Sequence, residues 1–313
     1  MACFLVTGGA GFIGSNLVVA LVKAGHSVRV LDDYSTGRPE NLRDCPGTIE
    51  VFEGSICDRD LVAAAMAGVD FCLHQAAVPS VPRSIKDPWK SNRANVEGSI
   101  NVFLAARDAG VKRVVFASSS SVYGRSRKLP LREDQPVNPI SPYGTSKAAA
   151  EFYARVFADL YGLDIVGLRY FNVFGPRQDP TSQYAAVVPN FISRMLTGES
   201  PEVDGDGRQA RDFSFIENVI SANLKACLCD GPLAGIYNVA CGTSTSILGL
   251  VEMLNAILGT SLEPIHRAAR EGDIRDSLAD ITRAGKAFGY EPVVDVETGL
   301  RRTVAWYSES GCA

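Results

Sequence analysis

No C-x-x-C pair occurs among the eight cysteines of this chain, and only Cys227 and Cys229 stand close together. Two residues apart on a helix, their side chains point away from each other. That scatter excludes a metal-ligand pattern and a disulfide framework, and it suits a reducing, cytoplasmic setting. No run of about 18 apolar residues occurs, so no membrane-spanning helix is expected. An excess of one charge is also missing: 31 Lys and Arg face 35 Asp and Glu, a net charge of -4. Nothing there advertises nucleic acid or an anionic membrane as a partner. Internal repeats and low-complexity tracts are absent, and the chain begins almost directly in an apolar strand, which predicts no signal peptide. What remains is ordinary soluble material: 313 residues, 46% hydrophobic and 21% charged, enough for one large or two modest domains.

The stretch that organises the chain is CFLVTGGAGFIG, residues 3–14. Cys3 to Val6 are uninterruptedly apolar, as in a strand covered on both faces. Gly9, Gly11 and Gly14 fit G-x-G-x-x-G, while Gly8, Gly11 and Gly14 fit the wider G-x-x-G-x-x-G. A helix opens directly behind, from Phe12 and Ile13 onward. Strand, glycine turn and helix together predict a pyrophosphate lying against a helix N-terminus. A second apolar strand, 28–31, ends in Asp32 and Asp33, about twenty residues beyond the glycines. An acid there accepts hydrogen bonds from the adenosine ribose hydroxyls and repels a 2′-phosphate, so the expected cofactor is NAD rather than NADP. Asp32 is assigned that role, with Asp33 as its neighbour.

Further strands are expected at 49–53, 69–73, 114–117 and 164–169, alternating with helices at 61–66, 87–109 and 141–161. This alternation predicts an α/β fold, a Rossmann-type doubly wound parallel sheet. Ile56 and Asp58 follow the third strand and are placed to meet the adenine end. His74 reads as a packing or loop-fixing residue, and the small pair Ala76 and Ala77 lets a loop lie close to the cofactor. Ser141 can cap the 141–161 helix, with Pro142 in its first turn. The apolar set of that helix covers more than one face, which predicts pairing with a second subunit. From Gly175 the texture changes, with helices expected at 187–196, 217–229, 247–258, 281–288 and 296–306. The expected division is a cofactor domain over 1–174 and a smaller mixed α/β substrate lobe over 175–313, with the chain free to cross between them.

Tyr143 and Lys147 are spaced i, i+4 and share a helix face. A phenol is a poor base at pH 7. A neighbouring ammonium and a cationic nicotinamide both favour the phenolate. Ser119, at the end of a strand, can hydrogen-bond the same substrate hydroxyl. The three predict a hydride-transfer site in which Tyr143 removes an O–H proton.

At this point the residues resemble a family. TGGAGFIG at 7–14, HQAA at 74–77, SSSSVYG at 118–124 and SPYGTSK at 141–147 are similar to the extended short-chain dehydrogenase/reductases, and within them to the nucleotide-sugar 4-epimerases. LRYFNVFGP at 168–176, GDGRQARDF at 205–213 and REGDIRDS at 270–277 extend the resemblance over essentially the whole chain. SVPRS at 80–84 and RQDP at 177–180 look most like UDP-N-acetylglucosamine 4-epimerases. The resemblance implies a UDP-sugar substrate, with Asn172 at the sugar diphosphate, Arg211 and Arg270 on the phosphates and Asp273 on the uridine ribose. It also implies Ser80, Ser120, Ser121 and Val188 on the substrate side. Phe12, Ile13, Gln75, Asn95 and Tyr170 would complete the cofactor contacts of Gly8, Gly11, Gly14, Tyr143 and Lys147.

Similar dehydratases carry an Asp-Glu pair where this chain has Ser120 and Ser121, and similar decarboxylases carry Glu at the second position. A hydroxyl cannot replace a carboxylic acid in proton transfer at neutral pH. The expectation is therefore epimerisation at C4 without net redox. A UDP-uronic acid 4-epimerase and a non-catalytic NAD-binding scaffold are the alternatives. Ser277, small where relatives confined to plain hexoses can carry tyrosine, implies room for an N-acetyl group. A homodimer is expected through the helices at 87–109 and 141–161.

Overall fold

A computed structural model describes residues 1–126, 128–180, 186–269 and 275–310. Six parallel strands follow the expected order: β1 (Cys3–Thr7), β2 (Ser27–Asp32), β3 (Glu50–Glu53), β4 (Phe71–His74), β5 (Arg113–Ser119) and β6 (Ile165–Tyr170). In space they run β3-β2-β1-β4-β5-β6, so the order reverses between β1 and β4. A cleft outside the carboxyl ends is expected at that reversal. β6 is buried along its whole length and β1 nearly so, as required of strands with helices on both faces.

One strand crosses the expected division at residue 174. Gly235–Val239 adds to β6 in parallel register as the seventh strand of the central sheet. The Ile216–Leu228 helix just before it packs on β5 and on the Phe12–Lys23 helix. Phe174, Val188, Phe213 and Phe215 from the C-terminal part share one apolar core with Phe4, Val6 and Leu17 from the N-terminal part. The other face of the sheet packs Leu5, Cys72 and Phe116 against the helices Arg59–Met66, Gly98–Asp108 and Pro142–Tyr161.

Local chemistry explains where elements start. The Asp58 carboxylate accepts from the amides of Asp60 and Leu61, so that helix begins at Arg59, two residues before its expected start. Ser141 Oγ accepts from Gly144 N, and the chain leaves the helix through Gly162 in the left-handed region. The single helix expected over 87–109 is instead three pieces. Pro88–Asn92 is capped by Asp87, Arg93–Glu97 is a π-helical turn, and Gly98–Asp108 is α-helical. A short helix, Val81–Lys86, precedes them unexpectedly. The wide turn presents Asn95 sideways to the 78–80 loop. Gly98 then lets the next helix close on Ile56, whose side chain would lie 2.5 Å from an added Cβ.

Candidate active site

Gly8 adopts φ +67, a left-handed conformation that side chains rarely enter. A Cβ on Gly14 would stand 2.0 Å from the Gly8 carbonyl oxygen, so helix and turn touch backbone to backbone. Asp32 braces this turn: its carboxylate accepts from Ala10 N at 2.8 Å and from Tyr34 N at 2.9 Å. Burial raises its pKa while these amides oppose the shift. A carboxylate offers about four acceptor sites, so capacity remains for a ligand hydroxyl. Asp33 is exposed beside it and accepts from Ser35 N.

The turn opens into a cleft of about 1010 Å³. Of the expected cofactor contacts, Gly8, Gly11, Phe12, Ile13, Gly14, Asp32, Asp33, Ile56, Asp58, Gln75, Ala76, Ala77, Tyr143, Lys147 and Tyr170 all line it. Asn95 does not. Its amide bonds both backbone groups of Val78 and the Ser146 hydroxyl, so it fixes a cleft loop from behind. The Tyr170 hydroxyl donates to Gln75 Oε1 and accepts from Asn223 Nδ2, which holds the glutamine at the cleft wall. His74 is buried and hydrogen-bonded to Thr7 and Ser99, a bracing position beneath the turn.

At the other end, β5 and the Pro142–Tyr161 helix bring Ser119, Tyr143 and Lys147 together. The Tyr143 amide donates to Ser84 Oγ, which ties the helix start to the Val81–Lys86 helix. Ser119 lies beside the phenol and opposes the rise of its pKa. Lys147 Nζ donates to the Ala117 carbonyl at 2.8 Å and lies 5.9 Å from the Tyr143 ring centroid. The expectation that Lys147 draws the phenol's pKa down is not met by the protein groups alone. Burial raises Tyr143, opposed only by Ser119, while burial lowers Lys147 to about 8. The physical reason is desolvation: Lys147 is buried with its ammonium anchored on a backbone carbonyl, and Tyr143 is half-buried in the cleft wall. The carboxylates lining the cleft among the described residues are Asp32, Asp33, Asp58 and Asp179. None belongs to the 118–121 run that sits with Tyr143.

On the substrate side, Ser80, Ser119, Ser120, Ser121 and Asn172 line the cleft. Ser80 has φ 107, and its buried hydroxyl has no hydrogen-bond partner among the described residues. Asn172, at φ 36, donates to the Asp212 carbonyl. Asp212 is fully buried and accepts from the amides of Cys241, Gly242 and Ala279, while burial raises its pKa to about 6. Val188 is a correction: its side chain is in the core, and Ala186 lines the cleft instead. Apolar side chains at a helix start turn to the core when it is adjacent. Arg211 Nη1 donates to the carbonyls of Ala210 and Arg275, and Ser277 N donates to Ala210 O. These bonds place Arg211 and Ser277 side by side, and neither lines the cleft. Ser277 is buried there, which corrects its expected place on the pocket wall. Arg270 and Asp273 lie outside the described residues.

Sequence reasoning missed several cleft residues. Arg38 and Asp179 form an ion pair at 2.8 Å, joining the loop after β2 to the loop after Val173–Phe174. Arg177 donates to Asn16 Oδ1, and Asn16 donates to the Pro176 carbonyl. Arg83, Lys90 and Arg93 add positive charge along the rim. The run at 177–180 had marked a branch of relatives, and nothing in its spacing said that it closes over the cofactor turn.

The sequence model of the family described as "NAD dependent epimerase/dehydratase family" matches residues 4–240. The UDP-glucose 4-epimerase of Mycolicibacterium smegmatis is 40% identical over 309 residues, covering 97% of each chain. The structure of UDP-N-acetylglucosamine 4-epimerase from Methanobrevibacter ruminantium M1, in complex with UDP-N-acetylmuramic acid, is 40% identical, with a TM-score of 0.94 over 99% of both chains. The UDP-glucuronic acid 4-epimerase of Bacillus cereus, in complex with UDP-glucuronic acid and NAD, is 29% identical, with a TM-score of 0.91 over 98% of this chain and 99% of that one. A family model over residues 4–240 and a relative 40% identical along 97% of each chain show the same membership: the chain belongs to the NAD-dependent epimerase/dehydratase family.

Proposed function

We propose that this protein interconverts the C4 epimers of UDP-hexoses, with UDP-N-acetylglucosamine and UDP-glucose as its substrates. The observation that carries the reading is the hydroxyl wall of 118–121 beside Tyr143 and Lys147, where none of the described residues places a carboxylate for a second proton transfer. NAD fits the chain: a Cβ would fill the turn at Gly14, and Asp32 keeps acceptor capacity beside it. The turn from Gly8 to Gly14 would hold the pyrophosphate, Asp32 and Asp33 the adenosine ribose, and Ile56 with Asp58 the adenine. NAD supplies a hydride acceptor at C4 that later returns the hydride. Tyr143 takes the C4 hydroxyl proton and gives one back to the same oxygen once the 4-keto sugar has turned its opposite face toward the hydride. Ser119 orients that hydroxyl, and Lys147 supports the charge that develops on the phenol. Ser120 and Ser121 accept hydrogen bonds without removing a C5 proton, so the 4-keto sugar is not diverted to dehydration.

The UDP part rests on the relatives and on Asn172 in the cleft, with Arg211, Arg270 and Asp273 assigned to it by resemblance alone. Incubation with UDP-N-acetylglucosamine, UDP-glucose and UDP-glucuronate in parallel ranks the sugars. Conversion of the first two supports the reading, and fast conversion of UDP-glucuronate alone replaces it with the uronic acid epimerase.

The assembly proposed is a homodimer through the 141–161 helix. Phe152, Val156 and Leu160 stand exposed on its outer face, and Trp89 is exposed on the neighbouring Pro88–Asn92 helix. The proposed setting is the cytoplasm, in keeping with free thiols at all seven described cysteines.

A further inference from the structure

Tyr143, Lys147 and Glu151 follow one another at i, i+4 and i+8 along the Pro142–Tyr161 helix. Three consecutive residues of β5 answer them. Ser119 lies on the phenol's side and opposes the rise of its pKa, the Ala117 carbonyl accepts from Lys147 Nζ, and the Ser118 hydroxyl donates to Glu151 Oε1. Consecutive Cα atoms are about 3.8 Å apart, so the ammonium and the carboxylate are anchored on neighbouring residues of one strand. From β6, Arg169 grips the same carboxylate with two nitrogens, at 2.9 Å and 2.7 Å. Glu151 is 6% exposed and Arg169 is 3% exposed. A buried ion pair is often no more stabilising than apolar residues of similar volume, so stability alone does not account for these charges under the reactive helix.

We propose that Glu151, braced by Arg169 and Ser118, is a positioning residue that holds Lys147 as an ammonium beside Tyr143. The proposal rests on the epimerase reading for its kinetic meaning, though not for its electrostatics. The groups around Lys147 can be named element by element. Tyr143 and Glu151 share its helix, and β5 offers Ser119 and the Ala117 carbonyl. β4 offers His74, which burial and Lys147 itself keep neutral, down at about 3. β6 offers Arg169, committed to Glu151. Glu151 is the carboxylate of this set. Burial draws Lys147 down to about 8, and Glu151 acts in the opposite direction. With that carboxylate removed, the lysine midpoint would fall toward neutral pH, and the phenol would lose its cationic neighbour in a large share of molecules.

The test is an NMR titration of ε-13C-labelled lysine in the NAD-loaded protein, with Lys147 assigned through Lys147→Arg. In Glu151→Gln the Lys147 midpoint should fall by about 1 or more, and the basic limb of kcat/KM should move down with it. Glu151→Gln leaves Arg169 unpaired, so Glu151→Gln/Arg169→Gln is the second variant, with a smaller fall in the same direction. Glu151→Asp keeps the pair but draws the carboxylate back by one methylene, and it should give an intermediate midpoint and partial rescue of turnover. An unmoved Lys147 midpoint overturns the proposal, whether in a folded glutamine variant or, if neither folds, in Glu151→Asp. Lost turnover with an unmoved midpoint overturns it too, because a merely structural role gives that result. If the midpoint falls as expected but wild type epimerises no UDP-sugar, the epimerase reading fails while the link from Glu151 to Lys147 stands.

Discussion

Among the described residues of the cleft, Tyr143 is the one proposed to exchange a proton with the sugar, since its neighbours Ser119, Ser120 and Ser121 are hydroxyls and Lys147 is anchored on Ala117. Tyr143→Phe should therefore lower turnover by roughly 10²–10⁴-fold with NAD content unchanged, measured on the purified protein. Near-normal turnover would remove Tyr143 from the mechanism. Lys147 gives a second prediction at this scale. Its folded pKa, about 8, lies below its ordinary 10.5, so over that window the unfolded chain binds more protons and stability rises with pH. Denaturant melts of wild type and Lys147→Met should show the wild type gaining, relative to the variant, between about pH 8 and pH 10. A constant difference would mean that Lys147 is not desolvated. Helical spacing made Tyr143 and Lys147 legible in the sequence, and a strand end made Ser119 legible. Glu151 was not, because a buried charge announces itself only through partners distant in the chain, here Ser118 and Arg169.

Elements place these residues, and the contact between turn and helix is the tightest of them. Gly14→Ala puts a methyl 2.0 Å from a backbone oxygen that cannot step aside. The cost should be about 1–3 kcal/mol, read as a lower Tm together with weaker NAD binding. An alanine variant of unchanged Tm and NAD affinity would show that the turn opens freely. Strands and long helices were readable from apolar runs and caps, since Ser141 and Pro142 mark a start in any context. The Val81–Lys86 helix and the π turn at Arg93–Glu97 were not readable. A six-residue helix carries too little periodicity, and a π turn is a packing response of Asn95 to Val78.

Taken as a whole molecule, the chain does not divide cleanly at residue 174, because Gly235–Val239 closes the central sheet and one apolar core runs through both parts. That return was hidden in the sequence, where a five-residue apolar strand reads the same in a small sheet or a large one. The outer face of the 141–161 helix was legible as surplus hydrophobicity, and Phe152 and Leu160 are 61% and 70% exposed in the single chain. Phe152→Glu/Leu160→Glu should turn a dimer into a monomer in sedimentation at micromolar concentration. A monomeric wild type would contradict the assembly. The central claim is the chemistry, and it is tested most directly by following UDP-N-acetylglucosamine with the NAD-loaded protein by proton NMR. The account predicts an equilibrium mixture of the two C4 epimers, reached from either side, with no net reduction of NAD. A 4-keto-6-deoxy product, or a substrate left unchanged while bound, would contradict it.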